Sequence, residues 1–363
     1  MENSKRTKPS KGNNGVDRIS NLPDPILHLI LSRLPETEEV VRTSILSTGW
    51  RYLWTSMTSL DIDCRRGFDP SNFNEFVYWV LLNQTLDLDT FRLSCINNNY
   101  NKSTVWRWIH AAVMRKVKFL DLTFCPISRS EDVELPHCMV MCESLVALRL
   151  YLFNHKLHFK GFLALKVLEL NSVDLSDGDL IGKFLESCPV LEDLSLYDCM
   201  IYDLEDFTIT CPNLKTLRFA YGKTYGDNDL FSFSMGLRFI AQNLCIWSMQ
   251  CVGAARHPNI YFPTSLPNLK TLEITTSLDV VTMNAVVMIL KASPVLKHFS
   301  LIILNTHEDD NGSESWELEE VLAHHLKRVE FVEFNGETPI CWAARVSWTV
   351  KMATRSIGPT TPF

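Results

Sequence analysis

The chain of 363 residues is poor in several features that would define a function. It lacks any run of about eighteen apolar residues, and its best stretch, Met283 to Leu290, is ended by Lys291, so no bilayer-spanning helix is expected. It has eleven cysteines but no C-x-x-C pair. The nearest two, Cys138 and Cys142, have no matching second pair, which argues against a zinc site and a disulfide framework. Positive charge is also scarce. A net charge of -7 leaves no basic footprint for phosphate backbones, so nucleic acid is not an expected partner. No G-x-S-x-G, H-E-x-x-H or G-x-G-x-x-G motif occurs. Gly222-Lys223-Thr224 looks like the end of a phosphate loop, but Leu217 stands where the leading glycine would be needed. The ten histidines, His324 and His325 included, have no carboxylate or cysteine at ligand spacing. The expectation is a chain with no catalytic residue, no metal and no cofactor.

What is present is ordinary for a folded protein of two or three units, with 46% apolar and 21% charged residues. Residues 1–16 place Lys5, Arg6, Lys8 and Lys11 among Ser, Asn and Gly, with no apolar run of signal-peptide length behind them. They read as a disordered basic leader. Without an export signal, the cysteines are expected to act as small buried apolar groups in a reducing compartment, cytoplasm and/or nucleus.

An apolar helical cluster follows. Asp24 is a candidate N-cap with Pro25 at the first helical position, and Pro35 is expected to stop the helix after Leu34. Ile26, Leu27, Ile30, Leu31 and Leu34 form a wide stripe that needs a partner surface. A second helix can start at Thr37, capped by its hydroxyl, with Glu38 and Glu39 opposing the dipole. A third segment carries Leu46, Trp50, Leu53 and Trp54. So many large apolar groups in so short a unit imply that it leans on something else.

The phrases Leu22-Pro23-Asp24, Ile30-Leu31-Ser32-Arg33-Leu34-Pro35, Arg42-Thr43-Ser44-Ile45-Leu46-Ser47 and Trp50-Arg51-Tyr52-Leu53-Trp54 closely resemble the F-box of plant F-box proteins. The resemblance implies a three-helix module over residues 17–56 that docks on the small Skp-type adaptor of a cullin-RING ubiquitin ligase. By position it assigns adaptor binding to Leu22, Pro23, Ile26, Ile30, Leu31, Val40, Leu46 and Trp50, with Trp50, Leu53 and Trp54 bracing the helices. One departure is visible. The basic pair common before the tryptophan is replaced by Thr48-Gly49.

From about Leu88 the pattern L-x-x-L-x-L returns. Clear copies are Leu145/Leu148/Leu150, Leu165/Leu168/Leu170, Leu191/Leu194/Leu196, Leu214/Leu217/Phe219, Leu269/Leu272/Ile274 and Leu296/Phe299/Leu301. Weaker ones are Leu88/Phe91/Leu93, Val117/Leu120/Leu122 and Leu326/Val329/Phe331. Their spacing fits the leucine-rich repeat range of roughly 20 to 29 residues. The gap between Leu214 and Leu269 is near two periods, and Leu244/Trp247/Met249 would fill it as a degenerate copy. Pro189, Pro212, Pro267 and Pro294 recur two residues before a strand leucine and mark the entry to each strand. Segments such as Gly178 to Leu185 and Asn284 to Leu290 have helical spacing, so each repeat is expected to be a strand plus a helix or irregular arc. Stacking then buries one apolar face in a curved α/β solenoid with a parallel sheet over residues 57–305.

Positions between the repeat leucines, such as Arg149, Glu169, Asp193, Ser195, Lys215, Thr216, Arg218, Lys270, Thr271, Glu273 and Lys297, are expected on the exposed sheet face. Their mixed charge singles out no ligand. After the acidic loop at Glu308-Asp309-Asp310, the stretches Trp316-Glu317, His325 to Phe331 and Phe334 to Glu337 resemble the start of the FBD region of many plant F-box proteins. This gives a partial FBD-like region at residues 306–345 and an irregular tail at 346–363. The combined resemblance implies the substrate-recognition subunit of a Skp-cullin-F-box ubiquitin ligase. Its partners would be a Skp-type adaptor, through it a cullin, and a protein target, with neither nucleic acid nor membrane involved. The rival is a leucine-rich-repeat scaffold with a degenerate F-box and no ligase role.

Overall fold

The computed structural model describes residues 19, 22–64, 70–96, 102–125, 132–158, 161–175, 178–199, 204–221, 235–240, 243–251, 265–276, 286, 288–303 and 328–332. The basic leader, the phosphate-loop look-alike at 222–224, His324, His325, the tail and most of the FBD-like region lie outside them.

Helices α1 (Asp24–Leu31) and α2 (Thr37–Arg42) are followed by two 3-10 turns, Thr43–Ile45 and Leu53–Ser56. The repeats begin with β1 (Ser59–Asp63), α3 (Pro70–Asn83), β2 (Thr90–Cys95), α4 (Lys102–Met114), β3 (Phe119–Phe124), β4 (Val133–Glu134) and α5 (His137–Val140). They continue through β5 (Ala147–His158), β6 (Val167–Asp174), α6 (Gly178–Glu186), β7 (Asp193–Tyr197), β8 (Leu204–Thr210), β9 (Thr216–Tyr221) and β10 (Met235–Ile240). The last strands are β11 (Ile246–Cys251), β12 (Thr271–Thr276), β13 (His298–Ile303) and β14 (Arg328–Val332).

One parallel sheet runs in the order β1-β2-β3-β5-β6-β7-β9-β11-β12-β13-β14. Its register is the repeat pattern made visible. Leu60, Phe91, Leu120, Leu148, Leu168, Leu194, Leu217, Trp247, Leu272, Phe299 and Val329 pair strand to strand as one column. Where side chains are described, this column and the next one, two residues on, are buried apart from solvent, because alternate residues of a strand face one side. The degenerate copy Leu244/Trp247/Met249 supplies β11, which pairs with β9 and β12 as its spacing required. Met57/Leu60/Ile62 is a further copy ahead of the one at Leu88, at the N-terminal edge of residues 57–305, and β14, which carries Val329 and Phe331 of the weak copy, continues the same sheet past residue 305.

The proline phrases form a repeated turn. Leu191, Leu214, Leu269 and Leu296 each donate their amide to the carbonyl three residues back, at 3.2, 3.1, 3.3 and 3.2 Å. Asn213 and Asn243 carry the turn from one repeat to the next, donating through Nδ2 to the carbonyls of Pro189 and Pro212 at 2.7 and 2.8 Å. Within β5, left-handed residues bend the strand: Phe153 and Asn154 have φ of 51° and 63°, and the register of β5 against β6 shifts there. Cys188 and Cys211 are buried in the proline turns and Cys199 just past β7, and burial pushes the thiols of Cys199 and Cys211 up to about 12.

The N-terminal module departs from expectation in its details. Pro23, not Asp24, caps α1; its carbonyl accepts the amides of Ile26 and Leu27, and Asp24 becomes the first helical residue, opposing the dipole. The helix ends at Leu31 rather than Leu34, since the residue before Pro35 is disfavoured in helical conformation. Ser32 closes that end, its Oγ donating to the Leu29 carbonyl at 2.9 Å. The expected third helix is instead the two 3-10 turns, with Thr48 and Gly49 in a turn between them.

Candidate functional site

Helix α1 is divided between two environments. Leu27 and Leu31, one helical turn apart, are buried together with Val40, Trp50, Leu53 and Trp54. These residues join Leu60, Ile62 and Phe73 of the first repeat in one continuous core. The join is also polar. Thr37, 4% exposed, does not cap α2; its Oγ1 accepts the amide of Asp61 on β1 at 2.8 Å, while Glu36 occupies the cap position. His28 Nε2 lies 2.8 Å from Ser56 Oγ and 3.3 Å from the Leu53 carbonyl, which holds α1 to the second 3-10 turn.

The other side of the same module faces solvent with apolar groups. Leu22, Ile26, Leu29 and Ile30 are exposed on α1 and its entry, and beyond α2 Ile45 is 87%, Leu46 61% and Tyr52 69% exposed. Pro23 is exposed between Leu22 and the helix. Scattered apolar residues are normal on a surface, but this many on so small a module make an unusually apolar one. Of the residues assigned to adaptor binding, Leu22, Pro23, Ile26, Ile30 and Leu46 therefore lie on the open face. Leu31, Val40 and Trp50 do not. They point into the core shared with β1, at 0%, 6% and 3% exposure, and so lie beneath that face rather than on it. Leu29, Ile45 and Tyr52 are also exposed and absent from the adaptor assignment; the three-residue spacing of Leu29 from Ile26 was the available signal.

On the open face of the sheet, Asp61, Arg92, Asp121, Arg149 and Glu169 are successive register partners across β1, β2, β3, β5 and β6. They form an alternating ladder. Arg92 donates through Nη1 to Asp61 Oδ2 at 2.7 Å and through Nε to Asp121 Oδ2 at 3.0 Å. Arg149 Nη1 donates to Asp121 Oδ2 at 3.2 Å, and its Nε lies 2.8 Å from Glu169 Oε1. Partial burial works against charge on both guanidiniums, but their carboxylate partners outweigh it and raise both pKa values. The ladder stops at β7, where the register position is Ser195. Ser195 and Thr216, expected to be exposed, are buried, whereas Lys215, Arg218, Lys270, Glu273 and Lys297 are exposed. Lys215 is spent on Glu192, at 2.6 Å.

Comparison with known proteins is consistent with this division. A family profile for the F-box domain matches residues 19–61. A second, described as the LRR repeats of FBD-associated F-box protein At5g56370, matches residues 105–231. The chain carries an F-box followed by leucine-rich repeats. Among curated proteins of Arabidopsis thaliana, F-box/FBD/LRR-repeat protein At5g22660 is 39% identical over 193 residues, covering 50% of this chain and 40% of that protein. F-box/FBD/LRR-repeat protein At5g56420 is 35% identical over 223 residues, covering 59% and 52%. F-box/LRR-repeat protein 13 is 33% identical over 220 residues, covering 58% and 47%. The matches thus span about half the length of these relatives. The F-box match ends within β1, so the module and the first strand of the sheet share residues as well as core.

Proposed function

We propose that this chain is the substrate-recognition subunit of a Skp-cullin-F-box ubiquitin ligase. The open apolar face of the F-box, with Leu22, Pro23, Ile26, Ile30 and Leu46, takes the Skp-type adaptor, and through it the cullin. Leu31, Val40 and Trp50 hold that face in shape from beneath. The repeats hold a protein target. The observation that carries this reading is the split of one module into a face fused to the solenoid core and a face of exposed apolar side chains. Ubiquitin transfer in such an assembly works by proximity: tethering raises the effective concentration of target lysines near the charged enzyme and asks no chemistry of the receptor itself. Among the described residues no helix is long and apolar enough to cross a membrane, and the working compartment proposed is cytoplasm and/or nucleus.

The test is a titration of the purified chain with a purified Skp-type adaptor. One-to-one binding is expected, and Ile30→Asp should weaken it by about 2 kcal/mol or more, roughly thirtyfold, because a charge would be placed in an apolar contact. A chain that binds no Skp-type adaptor is instead a leucine-rich-repeat scaffold without a ligase role.

A further inference from the structure

Helix α3 lies outside the F-box match, yet its solvent side is unlike that of the next repeat helix. Its inner face, Phe73, Val77, Val80 and Leu81, is buried in the common core, with the Phe73 ring edge-on to Trp108 of α4. Its outer face carries Trp79, 46% exposed, and Leu82, 79% exposed, with Leu86 at 47% just past its end. These three are spaced so that they lie along one side of the helix line. On α4 the outward residues Ser103, Arg107 and His110 are polar, with the apolar Met114, 69% exposed, at its last position. On α3 the apolar groups follow the exposed Glu75 and gather at the end where Trp79 meets Trp54 of the F-box.

That face is fixed to the F-box. The Trp79 ring lies 4.5 Å from the ring of Trp54, centroid to centroid. Thr85 donates its amide and its Oγ1 to the Thr55 carbonyl, at 2.8 and 2.9 Å. Gln84, in the amide orientation that satisfies both its atoms, donates to the carbonyls of Thr55 and Met57 at 3.0 and 3.1 Å. Thr55 in turn donates its amide and hydroxyl to the carbonyl of Tyr52, one of the exposed residues of the F-box face. Two apolar surfaces are thus held in one preset arrangement, and a partner that covers both pays little ordering cost.

We propose that the adaptor-docking surface continues past the F-box onto α3, where Trp79, Leu82 and Leu86 receive a further apolar segment of the Skp-type adaptor. This rests on the adaptor reading of the F-box face and extends it to the first repeat. The occupant is the adaptor because the α3 face is joined to the F-box through Trp54 and Thr55; tryptophan is enriched among the residues that anchor a desolvated contact, and Leu82 and Leu86 add apolar area beside Trp79.

The experiment measures adaptor affinity and melting temperature for the full chain, Leu82→Glu, Leu82→Ser and, as a control, Leu163→Glu. Leu163 is 68% exposed between β5 and β6, away from the F-box. Expected is a loss of affinity of about tenfold for Leu82→Glu and less for Leu82→Ser, no change for Leu163→Glu, and melting temperatures equal to that of the unaltered chain. If the unaltered chain binds adaptor and both Leu82 variants bind it equally well, this inference falls while the adaptor reading stands. A Leu82→Glu change that converts a dimer to a monomer in sedimentation, with adaptor affinity untouched, assigns the face to self-association and also overturns it. Absence of adaptor binding by the unaltered chain removes both.

Discussion

The F-box and the solenoid use the same apolar residue types and dispose of them differently. In the sheet, each buried column is flanked by apolar neighbours on both sides, so Leu194 and Leu217 are almost wholly removed from water. In the F-box, one short helix carries apolar residues around too much of its circumference for one core to cover, and Ile26, Leu29 and Ile30 remain outside. A repeat closes on its own kind; the F-box, with a wider stripe than one core covers, keeps part of that stripe in solvent. The comparison teaches that apolar content does not separate structure from recognition in this chain, whereas the direction of each side chain does.

Emptying either interior has the largest expected effect. Leu194→Ala in the sheet and Leu31→Ala in the F-box should each destabilise the chain by about 2–5 kcal/mol in a urea melt, since each leaves a cavity in one continuous core. A mild Leu31→Ala change would mean that the F-box is a separately packed appendage.

The ladder comes next in size. Asp121→Asn should cost about 1–2 kcal/mol, because it removes the carboxylate that Arg92 and Arg149 share, and partial exposure of the two arginines limits the loss. A double-mutant cycle with Arg92 would show coupling if the ladder acts as a unit.

Smaller still are changes on the open apolar face. Ile26→Ala and Leu46→Ala should shift folding stability by no more than about 0.5 kcal/mol while weakening adaptor binding. Gly49→Arg belongs to the same class for stability. Glycine 49 lies in a turn, and an added Cβ would meet only Ser47 Oγ, at 3.7 Å. Any change above about 0.5 kcal/mol in the melt would reveal a constraint at Gly49 that the turn does not display.

The smallest effect is expected at Glu192. The hydrogen bond from Lys215 holds its carboxyl below the usual carboxylate range. A folded-state pKa below the unfolded one gives stability that is present above the unfolded value, roughly 4.3, and is lost as pH falls through the folded value. Glu192→Gln should therefore lower the melting temperature slightly at neutral pH and not at all in strong acid.

The sheet was legible because its signal is repeated. A period of leucines, with proline at a fixed offset, located β11 even where Trp247 and Met249 replaced the leucines. The first copy was missed because Met57 stands in the leading place and lies against the F-box. The charge ladder was not legible, since Asp61, Arg92, Asp121, Arg149 and Glu169 are far apart in sequence and meet only once register is known. Within the F-box, the stripe on α1 was visible but its division was not: helical spacing says that Leu27 and Ile30 share a helix, and only packing against β1 says which one is inside. Thr37 shows the same limit. Its hydroxyl could serve a helix cap or a strand amide, and the tertiary contact to Asp61 decided.

The central claim is that partner contact belongs to the open side of the F-box while the solenoid core remains intact. Hydrogen exchange on the purified chain, with and without a Skp-type adaptor, tests this most directly. The account predicts added protection over Asp24–Leu31, Thr43–Ile45 and Leu53–Ser56, with the strands of the central sheet unchanged. Protection confined to the sheet strands, or no protection anywhere under saturating adaptor, would contradict it.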